Sequence, residues 1–222
     1  KTRATATLRQ RHIPPNVMPN CMSLEFKNIT YTGGPINDTG TFEILPDYLQ
    51  QFYLKQNGLI CFDGALHIRG CVQNPIFHSL NEFWFGKHAL ADLFSSITKN
   101  DIPFAQDFLG DQYLIRGNEI IHLQSEFDEI ENLKISFEEF IARSIQNTNN
   151  FLLTEPLRFY LKSNSKLVPG QLLSVFPPYC IETESERHFG AVDAIEHLHY
   201  LSDLARQIKI HKDGTSIKFK ME

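Results

Sequence analysis

The sequence predicts an α+β fold: a curved, mainly antiparallel sheet flanked by helices, with a C-terminal helix-and-hairpin extension. Three observations carry that reading. Tyr113-Leu114-Ile115 and Ile120-Ile121-His122-Leu123 flank Arg116-Gly117-Asn118, the pattern of two strands joined by a tight turn. Ser79-Leu80-Asn81-Glu82 and Ser136-Phe137-Glu138-Glu139 each set a serine three residues ahead of a glutamate, the capping box that opens a helix. Val192, Ile195, Leu198, Leu201, Ala205 and Ile208 recur at helical spacing, and an alternating run around Asp213-Gly214 follows them.

In chain order, residues 1–22 read as a flexible arm, with Pro14, Pro15 and Pro19 and little apolar periodicity. Residues 24–31 alternate weakly and suggest a strand. Gly33-Gly34-Pro35 and Asp38-Thr39-Gly40 are turns. A helix starts near Pro46, which loses nothing by lacking an N–H in the first turn; Asp47 opposes the helix dipole there. Leu45, Leu49, Phe52 and Tyr53 share one face of it, and Asn57-Gly58 ends it. Residues 59–68 read as strand material around an Asp63-Gly64 turn. Phe83 and Trp84 follow the first capping box in a short helix, and Leu90, Leu93, Phe94 and Ile97 suggest a second. Leu133 and Ile135 suggest a further strand, and Phe140, Ile141 and Ile145 belong to the helix behind the second capping box. Residues 156–161 form a short helix, Val168-Pro169-Gly170 a turn and Pro177-Pro178 an irregular link. In the terminal hairpin, Ile208 and Ile210 precede the turn and Ile217, Phe219 and Met221 follow it. Lys209, Lys218 and Lys220 take the alternate, water-facing positions.

A chain of 222 residues fits one large domain, or a domain with an extension, and buries roughly 70% of its unfolded surface without a metal or disulfide staple. Eighteen phenylalanines imply a core built on aromatic packing. No apolar run has the length of a signal peptide or a membrane span, so a membrane is not an expected partner. Cysteines 21, 61, 71 and 180 are scattered without CxxC pairing, which suits free thiols and a cytoplasmic protein.

The motifs of catalysis are missing. Neither GxxxxGK[ST] nor GxGxxG occurs, so no phosphate cradle is expected. In Glu196-His197-Leu198-His199 the histidines are two apart and point about 200° from each other on a helix, so they cannot share one ion. Cys61 and Cys71 lie in no nucleophile signature. No catalytic residue, metal or cofactor is therefore expected. Nucleic acid is also disfavoured, because a phosphate backbone demands a positive surface and this chain has a pI of about 6.0.

The acid is unevenly spread. Residues 101–140 hold ten carboxylates against Arg116 and Lys134, about −8; with −5 for the whole chain, the rest carries about +3. Carboxylates held on a rigid sheet suit a surface that meets something basic. The plainer alternative is a solvated acidic face that keeps the protein in solution.

The pieces also occur in the order of a known family. Leu45-Pro46-Asp47-Tyr48 with Asn57-Gly58, Ile102-Pro103-Phe104-Ala105, Gly110-Asp111-Gln112-Tyr113-Leu114-Ile115 and Ser136-Phe137-Glu138-Glu139-Phe140 resemble the SUKH superfamily, in the branch named for the Smi and Knr fungal cell-wall regulators. The likeness spans about residues 40–147. It departs at Leu59, where many relatives have a second glycine, and at Phe108-Leu109-Gly110, where many have paired glycines. The resemblance implies a SUKH-like domain over 23–150 with 151–222 packed on it as an extension. It also implies a non-enzymatic immunity protein that neutralises a cognate polymorphic toxin, often a nuclease, by direct binding. The other role it allows is a regulatory scaffold of the Smi/Knr type. Joined to the charge pattern, the expected partner is a basic toxin, met by Asp107, Asp111, Glu126, Asp128, Glu129 and Glu131.

Overall fold

The computed structural model describes residues 25–163 and 166–210; the expected N-terminal arm and the turn and return strand of the hairpin across Asp213-Gly214 lie outside the described residues, while Ile208 and Lys209, expected in its first strand, end a helix that Ile210 caps. Seven strands form one open sheet in chain order: β1 (Tyr31–Thr32), β2 (Leu59–Cys61), β3 (Leu66–Ile68), β4 (Ile102–Asp107), β5 (Gln112–Arg116), β6 (Glu119–Gln124) and β7 (Glu129–Asn132). Every neighbouring pair is antiparallel. Helices α1 (Thr39–Glu43) and α2 (Asp47–Lys55) precede β2, while α3 (Leu80–Trp84) and α4 (Leu90–Leu93) lie between β3 and β4. After β7 come α5 (Phe137–Gln146), α6 (Thr148–Phe151) and α7 (Glu155–Ser163). A separate antiparallel ribbon of β8 (Gln171–Phe176) and β9 (His188–Asp193) follows, then the long helix α8 (Ala194–Lys209). The extension thus holds a hairpin and a helix, with the hairpin first.

Both faces of the sheet are covered, which is why β4 is buried at all six positions. Pro103 has no N–H for the ladder, and it sits where the β4–β5 register shifts between Ile102 and Ala105. On one face Phe104, Tyr113, Ile115 and Ile120 pack with Leu49 and Tyr53 of α2 and Phe137, Phe140 and Ile141 of α5. The Phe104 and Phe140 rings meet edge to face at 5.2 Å. On the other face Leu114, Ile121 and Leu123 pack with Phe83, Leu90, Phe94, Ile97 and Leu198, so α8 helps close the sheet.

Both serine caps form as expected: Ser79 accepts from the Glu82 N–H and Ser136 from the Glu139 N–H. Two boundaries move. Leu133 and Ile135 lie beyond β7, because Lys134 takes a left-handed φ of +54° and interrupts the extended chain; the strand is the acidic segment just before it. Val192 belongs to β9, because the Asp193 side chain caps the N–H groups of Ile195 and Glu196 and starts α8 there. Of the weak alternation over 24–31, only Tyr31 among the described residues falls in a strand.

Candidate functional site

The turn between β4 and β5 is the hub on which the extension docks. Asp107 Oδ1 accepts the N–H groups of Leu109 (2.8 Å), Gly110 (3.0 Å) and Asp111 (3.0 Å), which folds the chain back on itself. Gly110 has a φ of +97°, and a Cβ there would stand 2.8 Å from Leu201 Cδ1, so α8 lies directly on the turn. The ribbon joins through the Leu173 N–H, which donates to the Phe108 carbonyl at 2.7 Å.

Between this hub, β6, the ribbon and α8 lies a cleft of about 290 Å³, lined by Asp111, His122, Glu126, Tyr179, His197 and Tyr200 among others. Asp111 Oδ1 accepts the Ser125 N–H at 2.8 Å, and its Oδ2 lies 3.4 Å from His122 Nε2. His122 stacks on Tyr113, its partner across β5 and β6, with ring centroids 4.9 Å apart. Burial works against its protonation, but Asp111, then Asp107 and Glu131, outweighs that and raises its pKa. For Asp107 burial comes first and the Asp111 charge second; together they push its carboxyl up to about 7. His197 is driven down to about 4 by burial, which a hydrogen bond with the Leu109 backbone only partly opposes. His199 lies apart from it, paired with His88 at 2.9 Å.

The six expected contact residues divide. Glu129 and Glu131 are exposed on β7, the last strand of the sheet. They pair with Gln124 and His122, and antiparallel partners share a face, so both rise beside the cleft. Asp111 and Glu126 line the cleft itself. Glu126 also accepts the N–H groups of Tyr179 (3.2 Å) and Cys180 (2.8 Å), fixing the irregular link that the double proline marks in the sequence.

Asp107 and Asp128 stand apart from the other four expected contact residues. Both are buried, because their oxygens serve the fold. Asp107 builds the turn. Asp128 accepts from the N–H and hydroxyl of Ser95 and Ser96 and from Lys209, tying the β6–β7 turn to the α4 loop and the end of α8. The other candidate chemistry is quiet. Cys61 and Cys71 are buried free thiols, with burial raising both and Cys71 reaching about 12, so neither presents a thiolate.

The sequence reading missed His122, Tyr179 and Tyr200. For His122 the signal was present: counting back from the Arg116–Glu119 pair across the turn sets Tyr113 opposite His122. No local signal brings Tyr179 and Tyr200 to the same cleft.

Residues 43–143 match the model of the SMI1 / KNR4 family (SUKH-1), which spans β2 to β7 and most of α5. A search of curated proteins finds no match to the chain. No helix among the described residues is long and apolar enough to cross a membrane.

Proposed function

Through residues 43–143 the chain is a member of the SUKH superfamily, and we propose that it is an immunity-type protein that binds and occludes a cognate toxin. The toxin is of the basic, nuclease class. The observation that carries this reading is the pair Glu129 and Glu131, exposed on the outermost strand beside a cleft that holds Asp111 and Glu126. A nuclease holds phosphates with a basic surface, and preformed carboxylates on a rigid sheet complement that surface and exclude its substrate. Among the described residues β7 is the last strand in the order, an edge that a partner strand can approach. Such a role is binding alone and asks no bond-making of the cleft residues.

The test uses the toxin domain encoded beside this chain's gene. Glu129→Lys combined with Glu131→Lys leaves stability within about 0.5 kcal/mol, since both residues are exposed and unburdened by the core. It is expected to slow association roughly tenfold at low salt and to flatten the salt dependence. An unchanged on-rate and salt slope refutes the acidic face as the interface. Failure to bind any such toxin, with stable capture of a host regulatory protein, favours the scaffold role of the Smi/Knr type.

A further inference from the structure

We propose that Asp107, Asp111 and His122 form a binding site for a first-row divalent cation, zinc foremost, at the floor of the cleft. This goes beyond partner binding and holds whatever the partner is.

One carboxylate oxygen from each aspartate and one ring nitrogen of His122 lie within 4.8 Å of one another. Donors about 2.1 Å from one ion stand at most about 4.2 Å apart, so the three close on a cation with shifts below about 1 Å. One pair is already in place. His122 Nε2 and Asp111 Oδ2 are 3.4 Å apart. Two donors on one ion at a tetrahedral angle have about that separation. The contact is not aligned as a hydrogen bond: Nε2 is shielded from solvent and has no hydrogen-bond partner among the described residues. A shielded ring nitrogen that faces a carboxylate oxygen at 3.4 Å without an aligned hydrogen bond is the arrangement that a shared cation satisfies.

Each donor is also held in position by a second contact. Asp107 is oriented by three backbone N–H groups, Asp111 by the Ser125 N–H, and His122 by its stack on Tyr113. Metal ligands are characteristically supported in this way. Glu131 lies directly across the β6–β7 pair from His122, a further carboxylate beside the set.

The donor set selects the ion. One imidazole with two carboxylates suits zinc, cobalt or manganese better than calcium or magnesium, which take all-oxygen shells. Asp111 and His122 line the cleft and Asp107 lies behind them, so the remaining coordination positions open towards the cleft, for water or for a donor group of a bound partner.

The test is calorimetric titration of the chelator-treated full chain with zinc, with the cobalt absorption spectrum as a second readout. One ion per chain, a cobalt spectrum of low coordination number and a raised melting temperature are expected. His122→Ala and Asp111→Asn should each weaken binding at least tenfold, while Glu129→Gln and His199→Ala leave it unchanged. Asp107→Asn perturbs the turn as well, so His122→Ala and Asp111→Asn, checked for an unchanged fold without metal, decide the matter. No binding, a stoichiometry below one, or zinc affinity that survives His122→Ala overturns the site. Binding lost in His199→Ala instead places the ion at the His88–His199 pair and equally overturns it.

Discussion

Replacing Asp128 by asparagine keeps the shape of the side chain and removes the charge that two distant segments converge on. Oδ1 accepts the Ser96 N–H at 3.0 Å and its hydroxyl at 2.6 Å, while Oδ2 accepts the Ser95 N–H at 2.9 Å, its hydroxyl at 2.6 Å and Lys209 Nζ at 2.6 Å. An asparagine amide turns one of those oxygens into a donor. The serine hydroxyl there can rotate to accept, but the backbone N–H facing the new NH2 cannot. An orphaned buried N–H costs about 1–3 kcal/mol, and weakening the remaining charge-assisted bonds adds about 1 kcal/mol. Asp128→Asn should therefore destabilise by about 3 kcal/mol, lowering the melting temperature by roughly 6–12 °C in a chain of this size. Lys209→Ala should cost under about 1 kcal/mol, because the Lys209 side chain is 41% exposed while that of Asp128 is 5% exposed. The pH dependence follows. Burial alone would raise the Asp128 pKa, but the bonds from Lys209, Ser95 and Ser96 bring it down to about 2. Its folded pKa is thus below the unfolded value, so its stabilisation is complete above about pH 4 and fades as pH falls towards 2. Urea denaturation of wild type and both variants at pH 7 and pH 3 measures all three quantities. An Asp128→Asn loss under 0.5 kcal/mol, or a Lys209→Ala loss of equal size, would refute the clamp.

Gly110→Ala combines a left-handed φ of +97° with a Cβ 2.8 Å from Leu201 Cδ1, and should cost about 2–4 kcal/mol; it should also loosen α8, seen as faster amide exchange in that helix. His78 and His197 are each held down to about 4, chiefly by burial. At these two sites the unfolded chain takes up protons below about pH 6.5 that the folded chain refuses, so their contribution falls from there towards pH 4, by about 2 kcal/mol per histidine at pH 5. Asp107 and His122, both raised, act in the opposite sense over the same range, so the check is the change in stability between pH 7 and 5 in His197→Gln against wild type; a change of equal size in both would contradict this. Ser136→Ala removes the cap of α5 and should cost about 1 kcal/mol by thermal melting, whereas Ser136→Asp, which can also cap, should cost little.

Local signals were sufficient for most of the elements. A serine with a glutamate three residues on caps a helix wherever the chain then goes, and both capping boxes in this chain do so. Tyr113-Leu114-Ile115, with its turn and return, sets its own register within twelve residues, because the tight turn allows one alignment. The β8–β9 ribbon escaped notice because its strands are half-exposed and depend on docking against Phe108 rather than on strong alternation of their own. Lys134 and Asp193 moved two boundaries through a single backbone angle and a single cap, details smaller than a periodicity can register.

The sequence by itself placed ten carboxylates in residues 101–140 and the strands that carry them. It could not say which of them remain free, because charge has no direction along a chain. Tertiary structure decided that. Asp107 turned inward to build the turn under α8. Asp128 turned towards Ser95, 33 residues away, and Lys209, 81 residues away. Glu129 and Glu131 stayed exposed because the sheet ends at β7. Asp128 gains more from the hydrogen bonds of distant donors than it loses in hydration, and only the fold determines where those donors are.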